Sequence, residues 1–206
     1  MPTLLLIRHG ENDYVKKNKL PGHQAGIHLN ERGQKQAAAL AESLKGLPIK
    51  AIYSSPLERA VETANPLANM INREVQLRPG LVDINVGSWT GRSLKMLNRT
   101  KAWRIVQQAP SFFHFPAGES FLEAQVRIVS ELDAIASAHK KGLIAIVFHA
   151  DPIKLAIAHY IGLPMDNFQR LAVTTGSVTI VGIHEMGAAL LALNLIPPFS
   201  LPMQKK

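Results

Sequence analysis

The chain has 206 residues, carries 23 Lys and Arg against 15 Asp and Glu for a formal charge of +8, and contains no cysteine. That length suits one α/β domain or two small ones and buries roughly 70% of the unfolded surface. A composition of 47% hydrophobic and 18% charged residues excludes wholesale disorder, and the missing cysteines exclude a disulfide scaffold, a Cys-ligated metal and a thiol nucleophile.

Thr3–Arg8 is a short apolar run ended by His9 and Gly10, the pattern of a buried parallel strand. Asn30 has the side chain of an N-cap for the Ala/Leu-rich helix that ends near Gly46. Ala51–Ser54 reads as a second strand. Leu57, Val61, Ala64, Leu67, Ala68 and Ile71 then recur at helical spacing and predict an amphipathic helix. Val75–Leu77 fits a third, short strand. The stretch from 80 to 117 is less regular, with Gly80, Gly87, Gly91, Pro110 and Pro116, and one short helix is expected over 93–106. Ser120 and Glu123 form a capping box, and Leu122, Val126, Val129, Leu132 and Ala136 are expected to mark the buried face of the helix it starts. Leu143–Phe148 is a further buried strand, and Pro152 falls in the first turn of the next helix, where it is tolerated. Ser177–Ile183 and Ala188–Leu193 flank Glu185-Met186-Gly187 as a hairpin. Pro197, Pro198 and Pro202 predict an extended tail over 195–206. Strand–helix alternation without a linker points to a single α/β domain over 1–206 with a mainly parallel sheet.

A pI near 9.9 raises the question of nucleic acid. The basic residues are scattered, with no run of five and no RNP, zinc-finger or basic-zipper pattern, so a small anionic substrate is expected and nucleic acid is not. The longest apolar stretches, Leu143–Phe148 and Ala188–Leu193, are too short to span a bilayer. Leu4–Ile7 runs straight into Arg8 and does not resemble a signal peptide. A cytoplasmic protein without a membrane partner is the expectation, and a homodimer is compatible with the sequence.

Three predicted strands end in chemistry. The first delivers Arg8-His9-Gly10-Glu11, the second leads through Ser54-Ser55-Pro56 to Arg59 in a helical first turn, and the strand at 143–148 ends at His149. Ligands of open α/β sheets bind beyond the C-terminal strand edges, so Arg8, His9, Arg59 and His149 are expected at one rim. His9 alone is equally compatible with a structural histidine. Two guanidinium groups and two imidazoles together form a dianion trap, and a neutral imidazole is able to attack phosphorus.

The ordered set Leu6-Ile7-Arg8-His9-Gly10-Glu11, Tyr53–Ala64, Leu81–Gly91, Gly118-Glu119-Ser120 and Val147-Phe148-His149-Ala150 resembles the histidine phosphatase superfamily, also called phosphoglycerate mutase-like, from about residue 3 to 194. The resemblance implies a three-layer α/β sandwich, a mostly parallel sheet with helices on both faces. It implies His9 as the nucleophile that becomes a phosphohistidine, with Arg8, Arg59 and His149 clamping the phosphoryl oxygens. Asp83 stands where the family places its proton donor, and the chemistry uses no metal and no cofactor. Such a donor must hold its proton near neutral pH, so a raised Asp83 pKa is expected, from burial or from the phosphate charge. His9 in turn needs a carbonyl on Nδ1–H, leaving Nε2 to attack.

Some positions depart from the family pattern. Asn12 replaces the usual Thr or Ser, and is read either as a substitute phosphate contact or as a turn former. Val15 stands where an asparagine is frequent, and Ala150 where a glycine is. Asn12, Glu119 and Ala150 are candidate substrate-binding positions, with Glu119 expected at the pocket mouth or as a plain helix-start carboxylate. The segment 92–117 is the expected cap and specificity segment. Within it Arg92, Lys95 and Arg99 are expected to share one helical face, either as a cationic lip or as a solvated face. Phosphomonoester hydrolysis is the first reading. A phosphomutase is the second, weakened because the chain lacks a long insertion between the acid and Gly118-Glu119-Ser120. A metal-dependent hydrolase, which Arg8 and Arg59 disfavour, and a non-catalytic phosphate- or nucleic-acid-binding module are more distant.

Overall fold

The computed structural model describes residues 1–199. Its first strand, β1 (Pro2–Arg8), has Leu4 to Ile7 wholly out of solvent. Successive side chains of a strand face opposite ways. Leu4 and Leu6 therefore enter one core with Phe121, Ile128 and Ile153, whereas Leu5 and Ile7 enter another with Leu40, Leu44 and Leu67. A strand buried on both faces reads as a continuous apolar run, which is how this one reads.

α1 (Asp13–Lys16) is a single turn, and α2 (Glu31–Leu44) starts where Asn30 Oδ1 accepts from Gly33 N at 2.9 Å. β2 (Ile49–Ser54), α3 (Glu58–Met70) and β3 (Val75–Leu77) follow. The irregular stretch holds α4 (Leu94–Leu97) and α5 (Lys101–Gln108). After it come α6 (Phe121–Ser137), β4 (Gly142–Phe148) and α7 (Ala150–Tyr160), then the hairpin of β5 (Val178–His184) and β6 (Gly187–Leu195). Among the described residues six strands form one sheet in the order β3-β2-β4-β1-β5-β6. β3, β2, β4 and β1 pair in parallel, while β5 and β6 run antiparallel. α2 and α3 cover one face and α6 and α7 the other, giving the three layers. No helix of the described residues is long and apolar enough to cross a membrane.

Register places the site. Arg8 lies opposite Phe148 and Ser54 opposite Val147, so β1, β2 and β4 end level. The residues just past them, His9, Ser55 and His149, emerge along one rim, with His9 N on Phe148 O at 3.0 Å and Ser55 N on Val147 O at 2.9 Å. Gly10 and Gly33 let the N-terminus of α2 pack against the loop after β1. A Cβ on Gly10 would stand 2.6 Å from Gly33 O, and one on Gly33 would run into Glu11 O.

Four expectations change. The helix over 93–106 is two helices, because Thr100 leaves helical geometry and caps α5 through Trp103 N. Arg92, Lys95 and Arg99 consequently do not share one face. On α6 the capping box starts the helix at Phe121, so Phe121, Ala124, Ile128 and Ile135 join Val129, Leu132 and Ala136 in the core. Leu122 and Val126 point outward, at 56% and 60% exposure. Lastly, Leu195 ends β6 and Phe199 packs on the α2–α3 core, so the extended tail does not begin at 195. Residues 200–206 of that tail lie outside the described residues.

Candidate active site

His9 is 2% exposed, and its Nδ1 stands 2.7 Å from Gly10 O. A carbonyl only accepts, so Nδ1 carries the hydrogen and Nε2 is left with its lone pair. Burial, then the charges of Arg59 and Arg8, hold the His9 pKa well below its ordinary value, so the ring is neutral near pH 7. His149 lies beside it with ring centres 5.2 Å apart. Burial, Arg59, His9 and Arg8 likewise push the His149 pKa well down. Its Nε2 is 2.9 Å from Ser55 Oγ. With the Ser55 hydroxyl donating there, the hydrogen of a neutral His149 resides on Nδ1.

Arg59, in the first turn of α3, is wholly buried rather than a surface partner of Glu58 or Glu62. Its Nη2 donates to Gly22 O at 2.8 Å and its Nη1 to Gln24 O at 3.3 Å. Arg8 donates through Nη1 to Val173 O at 2.7 Å. These bonds fix two cations in place, yet Arg8 Nε, Arg59 Nε and His149 Nδ1 are buried with no partner among the described residues. A buried donor without an acceptor costs about 1–3 kcal/mol. Two cations and one imidazole left short of acceptors make a donor-rich surrounding that suits an anion with several oxygens, although of the three residues only Arg8 itself lines the cavity.

Asp83 sits where the loop from β3 passes under the rim. Its Oδ2 is 3.5 Å from Arg59 Nη2 and 3.7 Å from His149 Nδ1, and its Oδ1 accepts from Ile84 N at 2.9 Å. Burial, and to a lesser degree Asp151, raise its pKa, against the opposing pull of Arg59 and the Ile84 amide. The expected direction is therefore present without any phosphate. Arg8, His9, Asp83 and Ala150 all line one cavity of about 350 Å³.

Other expected positions fall elsewhere. Asn12 Oδ1 caps α1 through Val15 N at 2.9 Å, while its buried Nδ2 is unpartnered. Glu119 does not line the cavity: it accepts from Asn85 N at 2.8 Å and pairs with Arg127 Nη2 at 2.7 Å. Phe113 and Phe115 are core, with Phe115 also facing the cavity, and Phe112 is 86% exposed. Trp89 packs on Trp103, Phe113 and Phe115 behind the Asp83 loop, as a packing anchor would.

Two residues to which the sequence assigns no role stand against the Asp83 loop. Arg127, on α6, donates to Gly80 O, Val82 O and Asp83 O at 2.9, 3.1 and 3.2 Å, gripping the Asp83 loop by its carbonyls. His23 Nε2 reaches Asp83 O at 2.6 Å. Neither has a signal in the sequence, since one resembles any helical arginine and the other sits in a Pro/Gly turn. Among the described residues no group of three or more His, Cys, Asp or Glu is arranged to hold a metal ion.

The family model of the histidine phosphatase superfamily (branch 1) matches residues 4–196. The chain belongs to that superfamily. A 2,3-bisphosphoglycerate-dependent phosphoglycerate mutase of Thermoplasma acidophilum is 32% identical over 92% of this chain and 91% of its own. Phosphoserine phosphatase 1 of Hydrogenobacter thermophilus is 27% identical over 95% and 93%. Among solved structures, a phosphoserine phosphatase variant of Entamoeba histolytica in complex with phosphoserine superposes with a TM-score of 0.84 at 26% identity, covering 94% of this chain and 97% of that one. Both a mutase and phosphatases are thus similar to this chain, and the phosphatase structure shares its fold.

Proposed function

We propose that this histidine phosphatase superfamily member hydrolyses phosphomonoesters through a phosphohistidine on His9. The observation that carries the reading is the neutral, buried His9 with Nδ1 tied to Gly10 O, beside three unpartnered N–H groups of Arg8, Arg59 and His149. In the first step His9 Nε2 forms a bond to phosphorus as the ester P–O bond breaks, and Asp83 gives its proton to the departing alkoxide. In the second, the Asp83 carboxylate takes a proton from water, whose oxygen attacks phosphorus as the P–N bond breaks, restoring His9 and releasing phosphate. Arg8, Arg59 and His149 offset charge on the three equatorial oxygens throughout, which is most of what phosphoryl transfer requires.

The second reading, a phosphomutase, is favoured by the 32% identical relative. Hydrolysis is favoured because a mutase must keep water from its phosphohistidine, whereas Asp83 here keeps 16% side-chain exposure inside a cavity of about 350 Å³. The same reading takes 1–206 as one domain with 92–117 as its specificity segment. It also takes the protein as cytoplasmic, independent of metals, and acting on a small phosphomonoester rather than on nucleic acid or a membrane. A homodimer fits this reading, and sedimentation measures it.

Trapping decides the matter. Incubation with a labelled phosphomonoester and an acid-free quench is expected to leave acid-labile phosphate on the wild type and none on His9→Ala, whose turnover falls at least about 10³-fold. EDTA leaves the wild-type rate unchanged. Turnover by His9→Ala overturns the nucleophile. Rapid isomerisation of 3-phosphoglycerate with a trace of the bisphosphate, without phosphate release, puts the mutase first.

A further inference from the structure

Beyond the phosphate end, the cavity has a wall of a different character. Leu20, Val86, Leu94, Trp103, Val106 and Phe115 all line it. Val86, Val106 and Phe115 are buried parts of the α6–α7 core, and Leu20, Leu94 and Trp103 pack on that core while remaining only half-buried. The wall is held from both sides: Leu20 N donates to Arg92 O at 3.0 Å, Gly91 N to Leu20 O at 2.7 Å and Leu94 N to Asn18 O at 2.8 Å. Its apolar area is thus a fixed surface that the protein itself leaves partly uncovered.

The charges of the cavity are distributed unequally. Lys154 Nζ is engaged by Asp151 Oδ1 at 3.3 Å and Gln169 Oε1 at 3.1 Å. Lys19 is an exposed rim residue whose Nζ lies 6.0 Å over the Tyr14 ring. Arg8 belongs to the phosphate end. The remaining polar lining residues, Asn18, Gln107 and Gln169, are uncharged, so a carboxylate lying against Leu94, Trp103 and Val106 would have no buried cation, and an unpaired carboxylate in apolar surroundings is costly. An apolar ring or alkyl chain there would cover the exposed parts of Leu20, Leu94 and Trp103.

We infer that the substrates of this site are phosphomonoesters of alcohols with an apolar body, an aromatic ring or an alkyl chain of several carbons, rather than small phosphorylated carboxylic acids. The inference rests on the phosphohistidine reading above and adds its leaving-group class. A volume of about 350 Å³ is in the range of pockets that enclose ring-sized ligands.

The test compares primary alkyl esters, so that leaving-group acidity does not decide the result: benzyl phosphate and n-hexyl phosphate against phosphoserine and glycerol 3-phosphate. The wild type is expected to favour the first pair by at least about tenfold in kcat/KM. Leu94→Arg, which sets a cation in the apolar wall away from His9 and Asp83, is expected to reverse the order of benzyl phosphate and phosphoserine. Equal or higher kcat/KM for phosphoserine in the wild type overturns the inference, and does so whatever the variant's stability. Acid-labile phosphate formed on His9 from phosphoserine, together with that order, overturns the inference while leaving the phosphohistidine reading intact. No acid-labile phosphate from any of the four esters overturns both.

Discussion

At the scale of single residues, the site works by holding titratable groups in states they would not keep in water. His9 stays neutral because an imidazolium would be buried next to Arg59 and Arg8. Asp83 keeps its proton to a higher pH than an exposed carboxyl because burial outweighs the attraction of Arg59. Under the proposed mechanism these shifts set the expected direction of the pH profile for phosphoryl transfer to His9. Protonation of His9 is displaced to below its ordinary pKa of about 6.5, so the acid limb lies on the acid side of that value. The basic limb reports Asp83: single-turnover transfer from an alkyl phosphate falls as pH rises through its raised pKa. Asp83→Asn is expected to remove that limb and to slow transfer from alkyl esters by about 10²–10⁴-fold. A p-nitrophenyl ester, whose leaving group needs no proton, loses far less in the variant. An Asp83→Asn profile with the wild-type basic limb would assign the limb, and the acid, to another residue.

Elements do what single residues cannot, which is to hold Asp83 still. The loop carrying it is in no strand or α-helix, and α6 supplies the grip. Arg127 binds the carbonyls of residues 80, 82 and 83, and Glu119 both pairs with Arg127 and accepts from Asn85 N. Arg127→Met is expected to lower kcat by about 10–100-fold with little change in KM, since a misplacement near 1 Å costs on that order. Loss of Arg127 also strands the Glu119 carboxylate. The pair Arg127→Met with Glu119→Gln should therefore recover thermal stability but not kcat, a split that a purely structural role would not produce. The strands and the outline of the long helices were legible because burial on both faces of β1 and β4 leaves plain apolar runs, and because Asn30 and Ser120 are strong caps. The face of α6 was misread because Leu122 and Val126 extend the same apolar pattern onto the exposed side. A count of apolar residues cannot tell which side the sheet covers. The break between α4 and α5 rests on the Thr100 cap, a local hydrogen bond that the run of basic residues obscures.

For the molecule as a whole, the meeting of Arg8, His9, Arg59 and His149 could be read from the sequence because β1, β2 and β4 end level and α3 starts a few residues past β2, so that chain order alone sets these side chains at one rim. The contacts of Arg127 and His23 could not be read, because they depend on how α6 and the turn at 21–24 approach the Asp83 loop. The same convergence has a cost in global stability that pH exposes. The folded-state pKa values of His9 and His149 are lowered, so between those values and about 6.5 the unfolded chain binds protons that the folded chain refuses. Stability is then fully present above the unfolded pKa and declines as pH falls through that window, by at most about 1.4 kcal/mol per pH unit for each histidine. Asp83 acts in the opposite sense, since its raised pKa favours the folded state at low pH and withdraws that help as pH rises through it. His28, exposed and raised by Glu62, acts in the same sense as Asp83 but is screened by solvent, so the two buried histidines set the net expectation, a urea midpoint that drops between about pH 6.5 and 5. His149→Gln should flatten the slope, by at most about 1.4 kcal/mol per pH unit, since a neutral amide takes no proton in either state. Under the proposed phosphohistidine reading, inorganic phosphate is expected to raise the midpoint of the wild type by engaging Arg8, Arg59 and His149, with a gain that grows with its concentration as mass action requires. A slope left unchanged in His149→Gln would show that the fold does not hold this imidazole neutral, and the same burial and the same arginines could then not be invoked to keep the lone pair on His9.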